Sequence, residues 1–235
     1  MSLTGTPTQP VIVMQSVSEA APALPDYAAL LAQDERAQLR RLRRQADRDR
    51  FVLGRGLARS LLAAATGKPA GSLRFARNSH GKPRLEGAGG IAFNISHSDD
   101  LVLVAMAQDC EIGVDVERHR PGLDFDALGR FIFTEAERAA VRACDPAERV
   151  TGFFRQWVFK EALVKALGTG LARDPRRFQI RRDAGDAIAE FVGGEADDVG
   201  PGWRLAGLDA PKGYSAALAI RPRPAGPCAA YPILT

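Results

Sequence analysis

The spacing of apolar residues predicts the first elements of the chain. Residues 11–14 are apolar and mostly β-branched, which predicts a strand. Between residues 28 and 65, apolar side chains recur every three or four positions among good helix formers, which predicts a helical region. Gly67 then ends this region, since glycine is the usual residue just beyond a helix.

Shorter apolar runs predict the remaining strands, and a second set of helices follows them. We expect the strands at 101–106 and 112–116 to pair through a turn at Asp109 and Cys110. Each half of the chain has helices first and strands after, which predicts an α+β fold of two similar halves, residues 1–118 and 119–235, the second ending in a Pro-rich tail at about 221–235. The other predicted elements are strands at 73–76 and 91–95, helices at 125–131, 135–143 and 147–167, and strands at 178–180, 203–205 and 214–220.

Composition narrows the class of protein only slightly. Of the 235 residues, 46% are hydrophobic and 26% are charged, and the net charge of +4 suits a polyanionic ligand or an acidic partner. Cys110, Cys144 and Cys228 form no CxxC pair, which argues against a disulfide framework or a zinc site and fits a reducing compartment. We find neither a secretion signal nor an apolar run of ~20 residues, so we expect a cytoplasmic protein without membrane contact.

The acidic run Gly113-Val114-Asp115-Val116-Glu117 is the first candidate site. Side chains alternate along a strand, so Asp115 and Glu117 share one face. Two converging carboxylates repel each other unless a cation lies between them, and oxygen ligands suit Mg²⁺. The alternative is a strand with one solvated acidic face.

A predicted helix carries the second candidate, in the segment WVFKEALVKALGTG. Glu161 and Lys165 are four residues apart and share a face. They form either a surface ion pair or a functional pair in which Glu161 binds metal or acts as a base and Lys165 binds a phosphate. We expect Trp157 and Phe159 to pack in the core.

Two shorter motifs precede these segments. In FNISHS, Ser96 and His97 follow a predicted strand and could present a hydroxyl, an amide and an imidazole to a phosphate, although a lone histidine is more often structural. Adjacent residues on an extended segment face apart and no GxSxG elbow is present, which excludes a hydrolase triad. In GKP, a turn presents Lys82, and taken alone this is an ordinary surface turn.

The order GKP, FNISHS, GVDVE, FTEAE and WVFKEALVKALGTG closely resembles that of the surfactin-type 4′-phosphopantetheinyl transferases. The resemblance covers residues 81–171 and extends back to an arginine-rich helix at 36–59. It implies a monomer of two α+β halves related by a pseudo-twofold, with coenzyme A in the cleft between them. It also implies that Gly113 and Gly168 are structural.

By motif position, the resemblance implies a role for each candidate residue. Asp115, Glu117 and Glu161 are expected to bind magnesium, with Mn²⁺ as an alternative, and Glu161 and Lys165 are the expected catalytic residues. A third polar ligand is absent between the paired acids, where Val116 stands, so we expect water to complete the metal shell. The expected phosphate contacts of coenzyme A are Arg36, Arg40, Arg50, Lys82, Ser96, His97 and Lys165, the three arginines serving the 3′-phosphate.

The implied reaction moves phosphopantetheine from coenzyme A to a serine of an apo acyl or peptidyl carrier protein and releases adenosine 3′,5′-bisphosphate. Because carriers are acidic, we expect the basic and apolar segment from Arg118 to Phe131, including Arg120 and Phe125, to dock them; an ordinary amphipathic helix is the alternative.

Two rival functions are considered. A nucleic-acid-binding module would leave the three carboxylates unexplained. A protein that binds coenzyme A or a carrier without turnover is disfavoured by the complete set of motifs.

Overall fold

The computed structural model describes five stretches of the chain, and the features below refer to these stretches. They are residues 9–87, 89–169, 174–183, 186–191 and 202–223. Within them, no helix is both long and apolar enough to cross a membrane. Most of the predicted tail, from residue 224 onward, lies outside the described residues, as do Gly170 and Leu171 of the motif region.

The first half contains a strand, four helices and four further strands. The helical region predicted at 28–65 is divided, because Glu35 accepts a hydrogen bond from the Ala32 amide at a new helix start and Leu42 is extended at that helix's end. The elements are β1 (Val11–Ser16), α1 (Val17–Ala20), α2 (Leu24–Ala29), α3 (Gln33–Arg41), α4 (Gln45–Thr66), β2 (Phe75–Arg77), β3 (Pro83–Leu85), β4 (Ile91–Ser98) and β5 (Leu101–Gln108).

The second half follows the same general order. Its helices lie close to their predicted positions, whereas β8, like β3 in the first half, was not predicted. The elements are β6 (Cys110–Arg118), α5 (Phe125–Ile132), α6 (Glu135–Arg142), α7 (Arg149–Leu167), β7 (Phe178–Asp183), β8 (Asp186–Phe191), β9 (Arg204–Leu208) and β10 (Tyr214–Pro222).

Strand pairing forms two main sheets and corrects one prediction. The first sheet has the order β1-β5-β4 and the second β6-β10-β9-β8-β7, with β2 and β3 as a separate hairpin. The predicted pairing of β5 with β6 is wrong, because both edges of β5 are occupied by β1 and β4 and β6 pairs along its whole length with β10. Asp109, with φ of +52°, turns the chain from one sheet into the other.

The sheets stack face to face between two helices. One core cluster packs Leu103 and Ala105 of β5 against Val114 and Val116 of β6 and against β10. A second cluster packs α4 on the outer face of the first sheet, and a third packs α7 on the outer face of the second. The architecture is therefore the predicted α+β fold, with a helix-covered sheet on either side of a shared core.

Side chains of β4 join the two sheets along a seam. Three polar residues at alternate positions point toward β6 and accept hydrogen bonds from its backbone amides, so the two strands run side by side in a constant register. The contacts are Val114 N to Asn94 Oδ1 (2.9 Å), Val116 N to Ser96 Oγ (3.3 Å) and Arg118 N to Ser98 Oγ (3.2 Å).

A buried ion pair recurs at the equivalent place in each half. In the first half, Glu35 near the start of α3 pairs with Arg59 of α4 at 2.6 Å. In the second, Glu137 near the start of α6 pairs with Lys160 of α7 at 2.8 Å. Both basic side chains also donate to backbone carbonyls that follow their helix. The repeat gives the two long helices the same anchoring.

We propose that the two halves meet at Asp109, slightly earlier than the 118/119 division expected from sequence. Strand β6 shares its sheet with β10 and packs under α7, so the larger part of its contacts is with the second half. The division matters for function because β6 carries the acidic run, whereas β4, on the other side of the seam, carries FNISHS.

Candidate active site

Strand β6 presents two carboxylates to α7. Asp115 and Glu117 lie on one face, while Val114 and Val116 are buried in the core between the sheets, as the alternation of the sequence predicts. Gly113 allows α7 to approach closely, since a Cβ at this position would lie 2.1 Å from the Ala162 carbonyl oxygen. The structure therefore supports the structural role expected for Gly113.

Asp115 is almost completely buried, and its two oxygens have different surroundings. Oδ1 accepts hydrogen bonds from Ser96 Oγ at 2.8 Å and Lys165 Nζ at 2.6 Å. Oδ2 is buried without a hydrogen-bond partner among the described residues. Burial raises the pKa of Asp115, and the Lys165 ammonium opposes that rise. An unsatisfied, buried carboxylate oxygen is a position that a bound cation would satisfy.

Glu117 and Glu161 complete an acidic cluster. Glu117 accepts a hydrogen bond from Ser98 Oγ at 2.6 Å, and burial raises its pKa, with a further contribution from Asp115. Burial also raises the pKa of Glu161, and repulsion from Asp115 raises it further. Lys165 pairs with Asp115 at 2.6 Å, and among the described residues it forms no ion pair with Glu161, which disfavours the alternative of a separate surface pair between Glu161 and Lys165.

The carboxylates do not form a closed metal cage. In the stretches that the structure describes, no three acidic, histidine or cysteine side chains converge closely enough to enclose an ion by themselves. Mg²⁺ commonly uses one or two carboxylates and takes its other ligands from water and substrate phosphates. The open cluster and the unpartnered Asp115 Oδ2 therefore fit a magnesium ion shared with a phosphorylated ligand.

Three basic side chains from three elements extend from this cluster, starting at Lys165, which contacts Asp115. They are Arg50 of α4, His97 of β4 and Lys165 of α7. His97 is exposed, yet the surrounding protein lowers its pKa by desolvation, and the charges of Arg50 and Lys165 lower it further. Arg50 and Lys165 are partly exposed, at 18% and 30% of their side-chain surface. This concentration of positive charge favours an anionic ligand.

Other predicted phosphate contacts are engaged elsewhere. Arg36 donates to the carbonyls of Leu31 and Ala29, each at 2.9 Å, so its guanidinium stabilises the end of α2. Arg40 is exposed on α3. The predicted roles of both in binding the 3′-phosphate stay predictions, and Arg50 is the arginine whose charge acts on His97.

Lys82 is also held by backbone groups. Its Nζ donates to the Ala166 carbonyl at 2.7 Å and to the Ile112 carbonyl at 3.0 Å. Gly168 ends α7 with φ of +67°, and a Cβ there would lie 2.8 Å from Lys82 Cδ. These contacts favour a role for Lys82 in fixing the end of α7, and its predicted phosphate contact stays a prediction.

Ser96 contributes through protein contacts in this structure. Its hydroxyl donates to Asp115 and accepts from Lys165 Nζ at 2.8 Å, so it orients both groups. Sequence reasoning missed the parallel role of Ser98 on Glu117. The signal was the alternation of Asn94, Ser96 and Ser98, which places three polar side chains on one face of a strand.

The segment expected to dock a carrier lies beyond the end of β6. Leu123 and Phe131 are exposed, at 39% and 75%, whereas Phe125 packs against Phe153 with ring centroids 4.7 Å apart. Arg120 is exposed as well. Phe125 is thus part of the core of the helices, and the exposed apolar residues of this segment are Leu123 and Phe131.

The fold and the site define a protein class. Two α+β halves meet along a seam, and the cleft beside it combines buried carboxylates with cationic side chains, an arrangement that suits a metal-assisted enzyme acting on a phosphorylated substrate. Comparison with known proteins identifies the family. Residues 111–219 match the 4′-phosphopantetheinyl transferase superfamily, and residues 21–109 match the 4′-phosphopantetheinyl transferase N-terminal family.

Individual relatives agree with these matches. The 4′-phosphopantetheinyl transferase HetI of Nostoc sp. is 38% identical over 153 residues, covering 64% of this chain and 65% of HetI, just under two thirds of its length. A 4′-phosphopantetheinyl transferase of Bacillus subtilis is 30% identical, covering 71% of this chain and 73% of that protein. The chain belongs to the 4′-phosphopantetheinyl transferase superfamily.

A similarity to a solved structure is more distant. The holo-(acyl-carrier-protein) synthase of Bacillus anthracis, in complex with CoA (3′,5′-ADP), is 21% identical, with a TM-score of 0.40. The similarity covers 48% of this chain and 96% of the synthase.

Proposed function

We propose that this protein transfers the 4′-phosphopantetheine moiety of coenzyme A to a serine of an apo carrier protein and releases adenosine 3′,5′-bisphosphate. Family membership supports the reaction class. The observation that carries the assignment to this cleft is the acidic cluster of Asp115, Glu117 and Glu161 in contact with Lys165, with the charges of His97 and Arg50 following next to Lys165. Coenzyme A carries a pyrophosphate and a 3′-phosphate, so a site that combines cationic side chains with a metal-binding acidic cluster suits it.

Magnesium fits the acidic cluster, and Mn²⁺ is the expected substitute. Asp115, Glu117 and Glu161 would hold the ion, which would neutralise charge on the pyrophosphate and stabilise the leaving group. The fit rests on the buried, unpartnered Asp115 Oδ2 and on the burial and the repulsion from Asp115 that together raise the pKa of Glu161. Water and substrate oxygens would supply the remaining ligands, since Val116 faces the core.

The protein's own side chains position the reactants. The serine oxygen of the carrier attacks the β-phosphorus of coenzyme A and the bond from that phosphorus to the bridging oxygen breaks. Lys165, held 2.6 Å from Asp115, is placed to bind a phosphate oxygen. His97 and Arg50 would bind the more distant phosphates. Phosphoryl transfer requires little more from a protein than such positioning and neutralisation of charge.

Glu161 is our candidate for the group that accepts the serine proton. No hydrogen bond to its carboxylate from another described side chain competes for that proton, and its raised pKa brings it closer to neutral pH, where a general base is most effective. A metal ligand is a weaker base, so Glu161 has either one of these roles or a share in both.

The acidic face of a carrier is the proposed partner for the segment after β6. Arg120 and Arg130 supply exposed positive charge around Phe131 and Leu123, although Asp124 and Asp126 are exposed in the same segment. Charged and apolar groups together match the general composition of a specific protein interface. A carrier docked here would lie next to Glu117, at the end of the strand that holds the acidic cluster.

We propose that the protein acts as a cytoplasmic monomer. Both sides of the cleft come from one chain, since β4 and α4 lie in the first half and β6 and α7 in the second. The scattered cysteines fit a reducing compartment, and the carboxylates of the site disfavour binding to nucleic acid.

Release of adenosine 3′,5′-bisphosphate, measured by chromatography, tests the proposed reaction. With coenzyme A, Mg²⁺ and an apo carrier, we expect release in step with carrier modification. A carrier whose modified serine is replaced by alanine should give no release. Equal release with both carriers would indicate hydrolysis, and no release with several carrier types would indicate a binder without turnover; either result would overturn the proposal.

A further inference from the structure

The two-residue turn between β4 and β5 lies at the edge of the proposed coenzyme A cleft. It consists of Asp99 and Asp100, because Ser98 and Leu101 are the last paired residues of the two strands. Asp99 has φ of +51°, in the left-handed region that favours glycine. A non-glycine residue in this region is maintained by surrounding contacts, and aspartate tolerates it better than most residues.

Asp99 contacts three other elements. Its backbone carbonyl accepts a hydrogen bond from Arg50 Nη1 of α4 at 2.8 Å. Its carboxylate pairs with Arg118 at the end of β6 and accepts a hydrogen bond from the Tyr214 hydroxyl of β10 at 3.3 Å. One residue of the first half therefore holds the second half with its side chain and an arginine of the cleft with its backbone.

Asp100 fixes the same turn from the opposite side. Its carboxylate accepts hydrogen bonds from Ser16 Oγ at 2.6 Å and from Ser18 Oγ at 2.8 Å, and its carbonyl accepts one from the Val17 amide at 2.7 Å. The turn is thus held between the start of α1 and the strands of the second half. The Asp99 carbonyl has a defined direction as a result.

We propose that Asp99 is a positioning residue for the substrate: together with Asp47, which pairs with the other terminal nitrogen of Arg50, it aims Arg50 into the cleft and so sets the affinity for a phosphate of coenzyme A. The inference rests on the proposed function, in which Arg50 binds the 3′-phosphate. The preceding residue, Ser98, holds Glu117, so the turn also borders the acidic cluster. A carboxylate near an anion site is otherwise unfavourable, and its pairing with Arg118 accounts for it.

The substitution Asp99→Gly tests this role, because glycine keeps the left-handed backbone and removes the carboxylate. We expect the KM for coenzyme A to rise about tenfold, the usual effect of misplacing one charge-assisted hydrogen bond, with kcat within about threefold of the parent. With 3′-dephospho-coenzyme A, which lacks the phosphate concerned, the KM of Asp99→Gly and parent should agree within about twofold.

Asp109→Gly is the matched control. Asp109 also has a positive φ but lies at the other end of β5, where its carboxylate accepts from Gln108. Its substitution should leave both KM values unchanged. In an Arg50→Met background, Asp99→Gly should have no further effect on the KM for coenzyme A, because the two changes act on one contact. If Asp99→Gly does not fold, Asp99→Asn replaces it in every arm, since asparagine tolerates the backbone and loses the charge.

The outcomes separate this inference from the proposed function. A parent protein that transfers nothing would overturn the proposed function and the inference with it. With an active parent, three results would each overturn the inference alone. They are an unchanged KM for coenzyme A in Asp99→Gly, an equal rise of KM for coenzyme A and its dephospho form, and additive effects of the Asp99 and Arg50 substitutions.

Discussion

Charge and burial oppose each other at the centre of the cleft. Asp115 is 2% exposed, and one of its oxygens has no hydrogen-bond partner in the described part of the chain, although a lone buried carboxylate is expensive. Lys165 donates a hydrogen bond to only one of the two Asp115 oxygens, Oδ1. Glu117 and Glu161 add like charge nearby, so this group of residues is poorly explained by stability and well explained by a cationic ligand.

Glu161 is the residue whose substitution separates two chemical roles. Glu161→Gln keeps the shape and removes the charge, and we expect kcat to fall by about 100-fold or more. If Glu161 is chiefly a metal ligand, a higher Mg²⁺ concentration will restore part of the rate; if it is the base, the loss will persist at saturating Mg²⁺. Steady-state rates across a Mg²⁺ series measure the difference.

Glu148→Gln is the control for that series. Glu148 lies just before α7, is exposed and should leave the rate unchanged. An unchanged rate in Glu161→Gln would contradict both roles.

Lys82 gives a pH dependence of stability. Burial lowers its pKa to about 8, with Glu111 opposing and Arg223 adding to the shift, whereas an unfolded lysine has an ordinary value of 10.5. Between these values the unfolded state binds more protons, so the stability of the folded state rises with pH. Relative to Lys82→Met, the parent should become more stable between pH 8 and pH 10 by denaturant unfolding.

The same comparison with Lys68→Met supplies a baseline, because Lys68 is an exposed lysine just beyond α4. Its difference from the parent should stay constant with pH. A constant difference for Lys82→Met too would show that Lys82 is not buried against the end of α7.

At the scale of elements, α7 is the helix on which the site depends. Gly113 lets it lie directly on β6, and Lys82 donates to the Ala166 carbonyl in its last turn. Lys160, adjacent to Glu161, anchors the opposite face of the helix through Glu137 and the carbonyls of Pro175 and Phe178. The orientation of Glu161 and Lys165 follows from these three anchors.

We expect Lys160→Met to lower the free energy of unfolding by about 3–5 kcal/mol, because it leaves the buried Glu137 carboxylate without its cationic partner. Glu137→Met should have a similar effect, because it leaves the buried Lys160 ammonium without its carboxylate partner. The double variant should lose less than the sum of the two, since neither charge is then left alone. Chemical denaturation of the three variants and the parent measures this coupling.

The exposed pair of Glu135 and Arg142 provides the comparison. It involves the same helix α6, and its removal should leave stability nearly unchanged. Additive losses from Lys160→Met and Glu137→Met would contradict the view that the pair anchors α7 as a unit.

At the scale of the whole molecule, the two halves share an order of elements and an anchoring ion pair but differ in chemistry. The acidic run and the Glu161–Lys165 pair belong to the second half, and FNISHS and Arg50 to the first. A cleft of this kind needs both, which explains why one chain contains two similar units.

The proposed docking surface extends this cleft toward a carrier. Phe131→Ser should raise the KM for the carrier by about tenfold or more while leaving the KM for coenzyme A unchanged, because an exposed aromatic at an interface is a typical centre of binding energy. Arg120→Ala should act in the same direction, more strongly at low salt. Steady-state kinetics with each substrate varied in turn measures both effects.

Val11→Ser is the matched control, since Val11 is 43% exposed on the edge strand β1, away from this segment. A rise in both KM values for Phe131→Ser would count against docking. So would an unchanged KM for the carrier, which would favour an ordinary amphipathic helix.

Much of the site could be predicted from sequence because its residues lie in short local patterns. The alternation in GVDVE places Asp115 and Glu117 on one face, and the spacing of Glu161 and Lys165 places them on one side of a helix. The partnership of Asp99 with Arg118 and Tyr214 could not be predicted, because its members are far apart in the chain and belong to different strands.

Pairing of strands was the weakest prediction for a similar reason. Neighbouring strands such as β5 and β6 usually pair, but the chain changes sheets at Asp109, and only the long-range partners β1 and β10 reveal it. The start of α6 did leave a local signal, since Thr134 and Glu137 form a capping box there, but the pairing of Glu137 with Lys160 of α7 left none.

Intact mass spectrometry of an apo carrier protein, incubated with this protein, coenzyme A and Mg²⁺, tests the central claim most directly. We predict that the carrier gains the mass of one phosphopantetheine, and that the gain is lost with EDTA or with Asp115→Ala. No gain with fatty-acid, polyketide and peptide-synthetase carriers alike, from a folded protein, would contradict the proposed transfer.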